Sequence, residues 1–409
     1  MNGYNRCPMR IDVQPPVSPF IARRAFVLSQ FTFFFLTFVG WLAASRILYE
    51  GLFPRWLWLG RPFLTLTFTA IATLLTWMFW QRWGQNKLSS VHLLPLLLNF
   101  IYLADPMVDL GRSRLVFGAA LWLTLLFYCG QRFRDQTWQW LGPLLIGVAV
   151  LPVYLSTMSR TVGQADTFEF QVVAPQLGIA HPTGYPLYLL LGKLFTLLPF
   201  GSVAWRINVG TAVLTTLALI FFFKLLWEIW GVPETAVLAA VVMGLTVTLW
   251  SQSIAAEVYA LHALVVCMAL WLMVRVGEWR VASGQAKTSF PPRFLRSLRL
   301  NLILLAATIG LGLTNHLTTV FLLPPAALAL IFLLFTASRS LNTEYRSLIT
   351  DYRFLLKLLL AFLLPLLILY LYLPLRWQAV NGEAMGLARF VDWVIGGRFQ
   401  GALQWQAWL

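Results

Sequence analysis

Apolar runs of about 20 residues recur along the whole chain, each long enough as a helix to cross the hydrocarbon core of a bilayer. Lipid offers no water to a free N–H or C=O, so such runs must satisfy their own backbone as helices. The pattern predicts an all-α polytopic membrane protein. Of 409 residues 59% are hydrophobic and 11% charged, with a mean hydropathy of +0.74. About eleven spans are expected, at roughly 26–46, 63–80, 91–104, 114–130, 139–158, 207–227, 234–250, 258–276, 299–314, 317–336 and 355–374; the third is short for a full crossing.

The net charge of +15 sits in short loops between these runs, as the positive-inside rule requires, and is not a nucleic-acid footprint. Cys7, Cys129 and Cys267 lie far apart, the last two inside apolar runs, and read as buried thiols rather than disulfides or metal ligands. Arg23-Arg24 precede a long apolar run with no convincing cleavage site, which reads as a retained first span. Walker, dinucleotide-binding, His-Glu-x-x-His and nucleophile-elbow motifs are missing from the sequence. Gly310 and Gly312 lie within a span and suit close helix packing.

Segment 185–199 is apolar and framed by prolines, but too short for a span; it suits an interfacial or re-entrant helix. Loop charge supports this. With Arg6, Arg10, Arg23 and Arg24 on the cytoplasmic side, Arg82, Lys87, Arg132 and Arg134 also fall inside. If 185–199 does not cross, so do the loops carrying Arg280, Lys287, Arg293, Arg296 and Arg299, and Arg339, Arg346, Arg353 and Lys357. Arg46, Arg55 and Arg61 are the misfit, in a loop placed outside. On this scheme Asp166, Glu169, His181, Arg206, Glu257, Asn315, His316 and Arg376 all face the external side.

One stretch concentrates the polar chemistry: Asp166-Thr-Phe-Glu169-Phe, then Leu177-Gly-Ile-Ala-His181-Pro-Thr-Gly184-Tyr185-Pro-Leu-Tyr188, then Trp205-Arg206-Ile-Asn208. With Ala256-Glu257-Val-Tyr259, Gly310-Leu-Gly-Leu-Thr-Asn315-His316 and Tyr372-Leu-Pro-Leu-Arg376, it resembles the membrane family catalogued as domain of unknown function 2723. That family belongs to the GT-C superfamily of lipid-linked-sugar glycosyltransferases and includes a eukaryotic protein O-mannosyltransferase. The resemblance runs from about residue 140 to the C-terminus and departs at Thr167-Phe168, where the family has two small residues. It implies a GT-C helix bundle over 136–409 with an acidic external first loop and an interfacial helix, and a transmembrane extension over 1–135 that has no counterpart in it. Such proteins continue beyond the Leu-Pro-Leu-Arg segment, so the chain is read as a possible fragment.

The activity implied is inverting transfer of a sugar, mannose foremost, from a polyprenyl-phosphate donor to a hydroxyl of a protein or glycan on the non-cytoplasmic face. A bacterial inner membrane is the expected location. Asp166 is the expected general base, though Asp-x-x-Glu is also a helix-capping signature. Glu169 shares its helical face and is read as catalytic, as an acceptor holder, as a like charge that raises its partner's pKa or as a cation ligand, against the alternative of an ordinary surface carboxylate. A divalent cation is possible at this pair, with no metal ligand set assigned. His181 and Tyr185 are expected at the substrate, in a turn stiffened by Pro182 and freed by Gly184. Arg206 and Arg376, at span ends, are candidates for the donor phosphate, against the alternative of snorkelling anchors; Lys193 is a third. Glu257 and His316 are expected to face the site at similar depth. The competing class is a transporter or flippase of a lipid-linked substrate, which calls for ionisable groups near mid-bilayer and inverted repeats.

Overall fold

The computed structural model describes residues 19–83, 90–105, 107–277, 292–339 and 351–397. The expectations resting on Arg6, Cys7, Arg10, Lys87, Arg280, Lys287 and Arg346 lie outside the described residues. The described chain is helical, without a strand. It divides into two compact units, residues 1–134 and 135–409.

The first unit contains α1 (Pro19–Ile47), α2 (Pro62–Trp83), a 3-10 segment Ser90–Asn99 running into α3 (Phe100–Leu103), and α4 (Leu110–Arg132). Arg46 ends α1. Its guanidinium donates to the carbonyls of Tyr102, Asp105 (2.9 Å) and Met107 (3.3 Å) and pairs with Glu50 at 2.8 Å. Those carbonyls close a helix C-terminus, where a cation is stabilised by the dipole and by otherwise unmet acceptors. A bonded role of this kind accounts for one arginine that loop charge alone could not place.

The second unit begins with α5 (Asp135–Thr157), followed by two short helices, α6 (Ala165–Gln176) and α7 (Pro186–Phe195), and the long α8 (Val203–Trp230). Next come α9 (Pro233–Gly244), α10 (Val247–Ser253), α11 (Tyr259–Gly277), α12 (Pro292–Leu313), a 3-10 turn Leu317–Leu322 and α13 (Leu323–Arg339). Finally, α14 (Tyr352–Tyr370) leads into α15 (Tyr372–Asn381) and α16 (Leu387–Val394).

Starts and stops follow side-chain chemistry. Ser202 accepts the Trp205 amide at the head of α8, which ends on left-handed Gly231. Pro186 and Pro233 open α7 and α9, where a missing N–H is harmless. Along α8, Thr211, Thr215 and Thr216 return their hydroxyls to carbonyls four residues earlier, so these three hydroxyls are not stranded in the apolar core.

Eight described helices are long and apolar enough to cross a membrane. The other expected spans differ. The run at 234–250 is α9 plus α10, bent by 71°. The 91–104 run is a 3-10 segment with Pro95 inside it and a single α turn, and 317–336 opens with a 3-10 turn. Helix α7 has ten residues, about 15 Å, half of a hydrocarbon core.

Ends of α5, α8, α10, α11, α12 and α14 meet at one end of the second unit's bundle. Trp250 donates to Thr157 at 2.9 Å, Ser202 to the Arg160 carbonyl at 2.8 Å, Asn315 to the Val258 carbonyl at 3.2 Å and Tyr370 to the Leu313 carbonyl at 2.9 Å. These bonds tie the end of α5 to α10 and to the start of α8, and the end of α12 to the start of α11 and the end of α14. Beneath them lies a core of Phe170, Tyr188, Leu189, Ile207, Leu261 and Leu373. At Gly310 α12 lies close against α14, since a methyl there would meet the Phe362 carbonyl oxygen at 2.2 Å.

Candidate functional site

Helix α6 carries the acidic motif, and left-handed, non-glycine residues stand at its two ends: Ala165 (φ 51°) and Leu177 (φ 50°). Tyr185 (φ 46°) does the same before α7. Such conformations cost of order 1–3 kcal/mol each and persist where surrounding contacts impose them. The contacts are visible here. Lys193 donates to the Pro175 carbonyl at 2.5 Å, Arg376 to those of Leu177 and Gln176 (3.2 Å), Tyr372 to Gly178 at 2.6 Å and Trp393 to Ala180 at 3.2 Å. The carbonyls leaving α6 are thus held by side chains from α7, α15 and α16, which aims the following His181 turn. Gly184 closes that turn, its amide donating to the His181 carbonyl at 2.7 Å. At φ 82°, with Leu373 2.6 Å from where a Cβ would stand, no other residue fits there without a shift.

The turn brings His181 back onto α6. Glu169 accepts the His181 amide at 2.8 Å and faces its Nδ1 at 2.5 Å. Both are partly buried, and the His181 ring lies against that of Phe170. Burial pushes the Glu169 carboxyl up, but its hydrogen bonds from the His181 ring and amide outweigh this and hold it below the ordinary value. His181 is raised, chiefly by the bond to Glu169, against its own burial and with help from the charges of Glu169, Asp166 and Glu257. The Tyr185 hydroxyl lies 3.1 Å from Nε2. Burial and nearby carboxylates push that phenol up to about 12, so it stays a neutral hydroxyl.

Asp166 lies one residue inside α6, whose N-cap position is Gln164, and does not cap it. Its carboxylate is exposed. Glu169 bonds His181 rather than closing a capping box. Next to Asp166, Thr167 donates to Glu257 at 2.9 Å. Burial, and then the charge of Asp166, raise Glu257 despite that bond. Three carboxyl groups thus differ in state: Asp166 open, Glu169 held ionised and Glu257 drawn towards protonation. At Thr167-Phe168, where the family motif is broken, Thr167 makes the link to Glu257 and Phe168 is half exposed.

Asp166, Glu169 and His181 each offer a ligand atom within 4.8 Å of the others, a spread that fits one cation. A cation taking that place would displace the proton between Glu169 and His181.

The structure places the remaining expected residues as follows. His316 touches Tyr259, two residues beyond Glu257, with ring centroids 5.6 Å apart. Arg206 donates to the carbonyls of Thr196 (2.8 Å), Phe200 (3.0 Å) and Gly201 (3.1 Å), closing the loop between α7 and α8. Arg376 closes α6 as described. Neither arginine bonds a carboxylate of the site. An open cavity of about 400 Å³ lies beside this loop, lined by Leu155, Arg160, Phe200, Gly201, Ser202 and Trp205. Asn208, also in the motif, accepts from buried Gln171 of α6 at 2.9 Å and donates to the Ser159 carbonyl at 3.1 Å. Sequence reasoning missed Arg160, Gln171, His262 and Thr318. Of these, only Gln171 carried a sequence signal, a polar residue five positions past Asp166 in an apolar helix.

Fold and site define an integral membrane protein of polytopic helices with a carboxylate–imidazole centre at one end of a bundle. Residues 166–339 match the family described as the protein O-mannosyl-transferase TMEM260 N-terminal domain, which bears out the resemblance to protein O-mannosyltransferases. Two curated relatives are named protein O-mannosyl-transferase TMEM260. The mouse protein is 36% identical over 147 residues, 36% of this chain and 21% of its own length. That of Dictyostelium discoideum is 29% identical over 193 residues, 46% of this chain and 23% of its own length. The chain therefore spans less than a quarter of either relative. No solved structure matches it significantly.

Proposed function

We propose that this chain is the catalytic portion of an integral-membrane mannosyltransferase that moves mannose from a polyprenyl-phosphate carrier to a hydroxyl on a protein. The observation that carries the reading is the arrangement of Asp166, Glu169 and His181 within 4.8 Å, with Asp166 exposed beside a fixed ion pair. A base must reach an acceptor hydroxyl, and the exposed Asp166 carboxylate is free to do so. Its oxygen takes the proton as the acceptor oxygen bonds the sugar C1. In the same step the C1–O bond to the lipid phosphate breaks on the opposite face, its electron pair leaving with the phosphate, with inversion. Glu169 and His181 hold the negative field constant around Asp166, and Glu257 supplies a carboxyl able to share hydrogen bonds with sugar hydroxyls.

The leaving phosphate fits the cavity beside α8. Arg160 lies on its wall, and Arg206 is bound to the Phe200 and Gly201 carbonyls that line it. Loop charge supports a non-cytoplasmic location for this end of the bundle; a bacterial inner membrane and a lipid-linked rather than nucleotide-linked donor belong to the same proposal.

The deciding experiment is transfer of radiolabelled mannose from polyprenyl-phosphate mannose to membrane protein, in membranes carrying the native chain or Asp166→Asn. Label with the native chain and a loss of at least 100-fold in the variant is the expected result. Equal labelling by two equally folded proteins would remove Asp166 as the base. Energy-independent movement of the unaltered lipid across the bilayer would favour a flippase instead.

A further inference from the structure

Two histidines far apart in sequence meet at this same end of the bundle. His262 of α11 and His316 after α12 have ring centroids 4.9 Å apart, bridged by the Thr318 hydroxyl. Thr318 Oγ1 lies 2.6 Å from His316 Nδ1 and 3.1 Å from His262 Nε2, while Thr319 Oγ1 lies 3.4 Å from His262 Nδ1. The direction of this chain of bonds is set at one point. The backbone amide of Thr318 donates to His316 Nδ1 at 3.4 Å, so that nitrogen carries a lone pair and the proton sits on Nε2. The Thr318 hydroxyl then donates to the same nitrogen and accepts from His262 Nε2–H. The Thr319 hydroxyl donates to His262 Nδ1.

A protonated His316 would turn an N–H against the Thr318 amide, so the arrangement keeps it neutral, as its burial also does. Its surroundings are fixed as well. Asn315 is tied to the Val258 carbonyl between Glu257 and Tyr259, and the Tyr259 ring lies against His316.

We propose that His316, locked by Thr318 and His262 as a neutral Nε2–H donor, binds a hydroxyl of the hexose, which lies between it, Tyr259 and Glu257. This rests on the reading of the chain as a sugar transferase. The charge balance selects the sugar over the phosphate: Asp166, Glu169 and Glu257 stand in this centre with the His181 imidazole as their cationic partner. A neutral polyol can donate to carboxylates and accept from an imidazole, whereas a phosphate would be repelled. His262 and Thr318 act through His316 as positioning residues.

The test is binding to the full chain in nanodiscs, without acceptor, of two probes: short-chain polyprenyl-phosphate mannose and the same polyprenyl phosphate without sugar. His316→Phe and Thr318→Val should weaken the mannosyl lipid about 3- to 10-fold, the worth of one neutral hydrogen bond, and leave the bare lipid unchanged. Thr318→Ser should restore binding. Nitrogen-15 histidine spectra should show the Nε2–H form at His316, lost to a mixture in Thr318→Val. Equal weakening of both probes, no weakening of either, or an unchanged tautomer would overturn the subsite. Unbound native protein with both probes would instead bring down the lipid-donor reading, and this subsite with it.

Discussion

Replacing Glu169 with Gln removes one charge from the pair that organises the site and leaves the shape almost unchanged. In the native protein the carboxylate accepts both the His181 amide, at 2.8 Å, and the ring nitrogen, at 2.5 Å. Gln keeps an oxygen for the amide but presents an NH₂ to the ring. A hydrogen bond to a charged group is worth about 1.5–3 kcal/mol. With the two side chains 29% and 25% exposed, solvent screening brings the expected loss to about 1–2 kcal/mol. The loss must depend on pH. Glu169 is depressed, so its share is present above its ordinary 4.5 and disappears as pH falls through its lowered folded value. His181 is raised, so its share is complete below its ordinary 6.5 and disappears as pH rises through its raised folded value. Between 4.5 and 6.5 the native chain should therefore exceed Glu169→Gln by the full amount, and the gap should narrow as pH rises through the raised His181 range and its charge is lost. Denaturant titration of both proteins in mixed micelles over a pH series measures it. A gap that is the same at every pH, or absent midway between the two ordinary values, would refute the ion pair.

Three further outcomes are expected. Arg376→Gln strips the Leu177 and Gln176 carbonyls of their donors and should cost about 1–3 kcal/mol in the same titration, slowing mannose transfer without weakening donor binding. Strong chelation should leave transfer within about twofold, because a proton already joins Glu169 and His181; a collapse reversed by a divalent ion would show that a cation joins them. Gly310→Ala forces a methyl against the Phe362 carbonyl and should destabilise by about 1–3 kcal/mol, while Gly147→Ala, with open space around it, should be neutral in the same assay.

Hydropathy made the helical class and most long spans legible, because an apolar run in lipid has few structures open to it. It could not show that 234–250 is broken, since Leu245 and Thr246 at the break are as tolerable in a helix as their neighbours, and the 71° bend is a tertiary fact. Motif spacing brought forward Asp166, Glu169 and His181, which the fold assembles through a turn of a dozen residues. Arg206 and Arg376 carried less information. An arginine at a span end looks the same whether it meets a phosphate, the membrane surface or a carbonyl 200 residues away. His262 was silent for a related reason: one imidazole in an apolar run has no partner until α12 delivers His316.

The acidic motif is local in sequence, but its geometry is not. The carbonyls that leave α6 find their donors 194, 199 and 213 residues further on, at Tyr372, Arg376 and Trp393. All three lie beyond residue 339, where the family match ends. A chain cut back to the matched stretch would keep Asp166, Glu169, His181, Glu257 and His316, yet leave Leu177, Gly178 and Ala180 without those partners. Left-handed Leu177 would then lose the contacts that impose its conformation, and the His181 turn would no longer be held against Glu169. The carboxylates and imidazoles proposed to do the chemistry and the side chains that hold the α6 exit in place are thus different sets, and the matched stretch lacks Tyr372, Arg376 and Trp393 of the second.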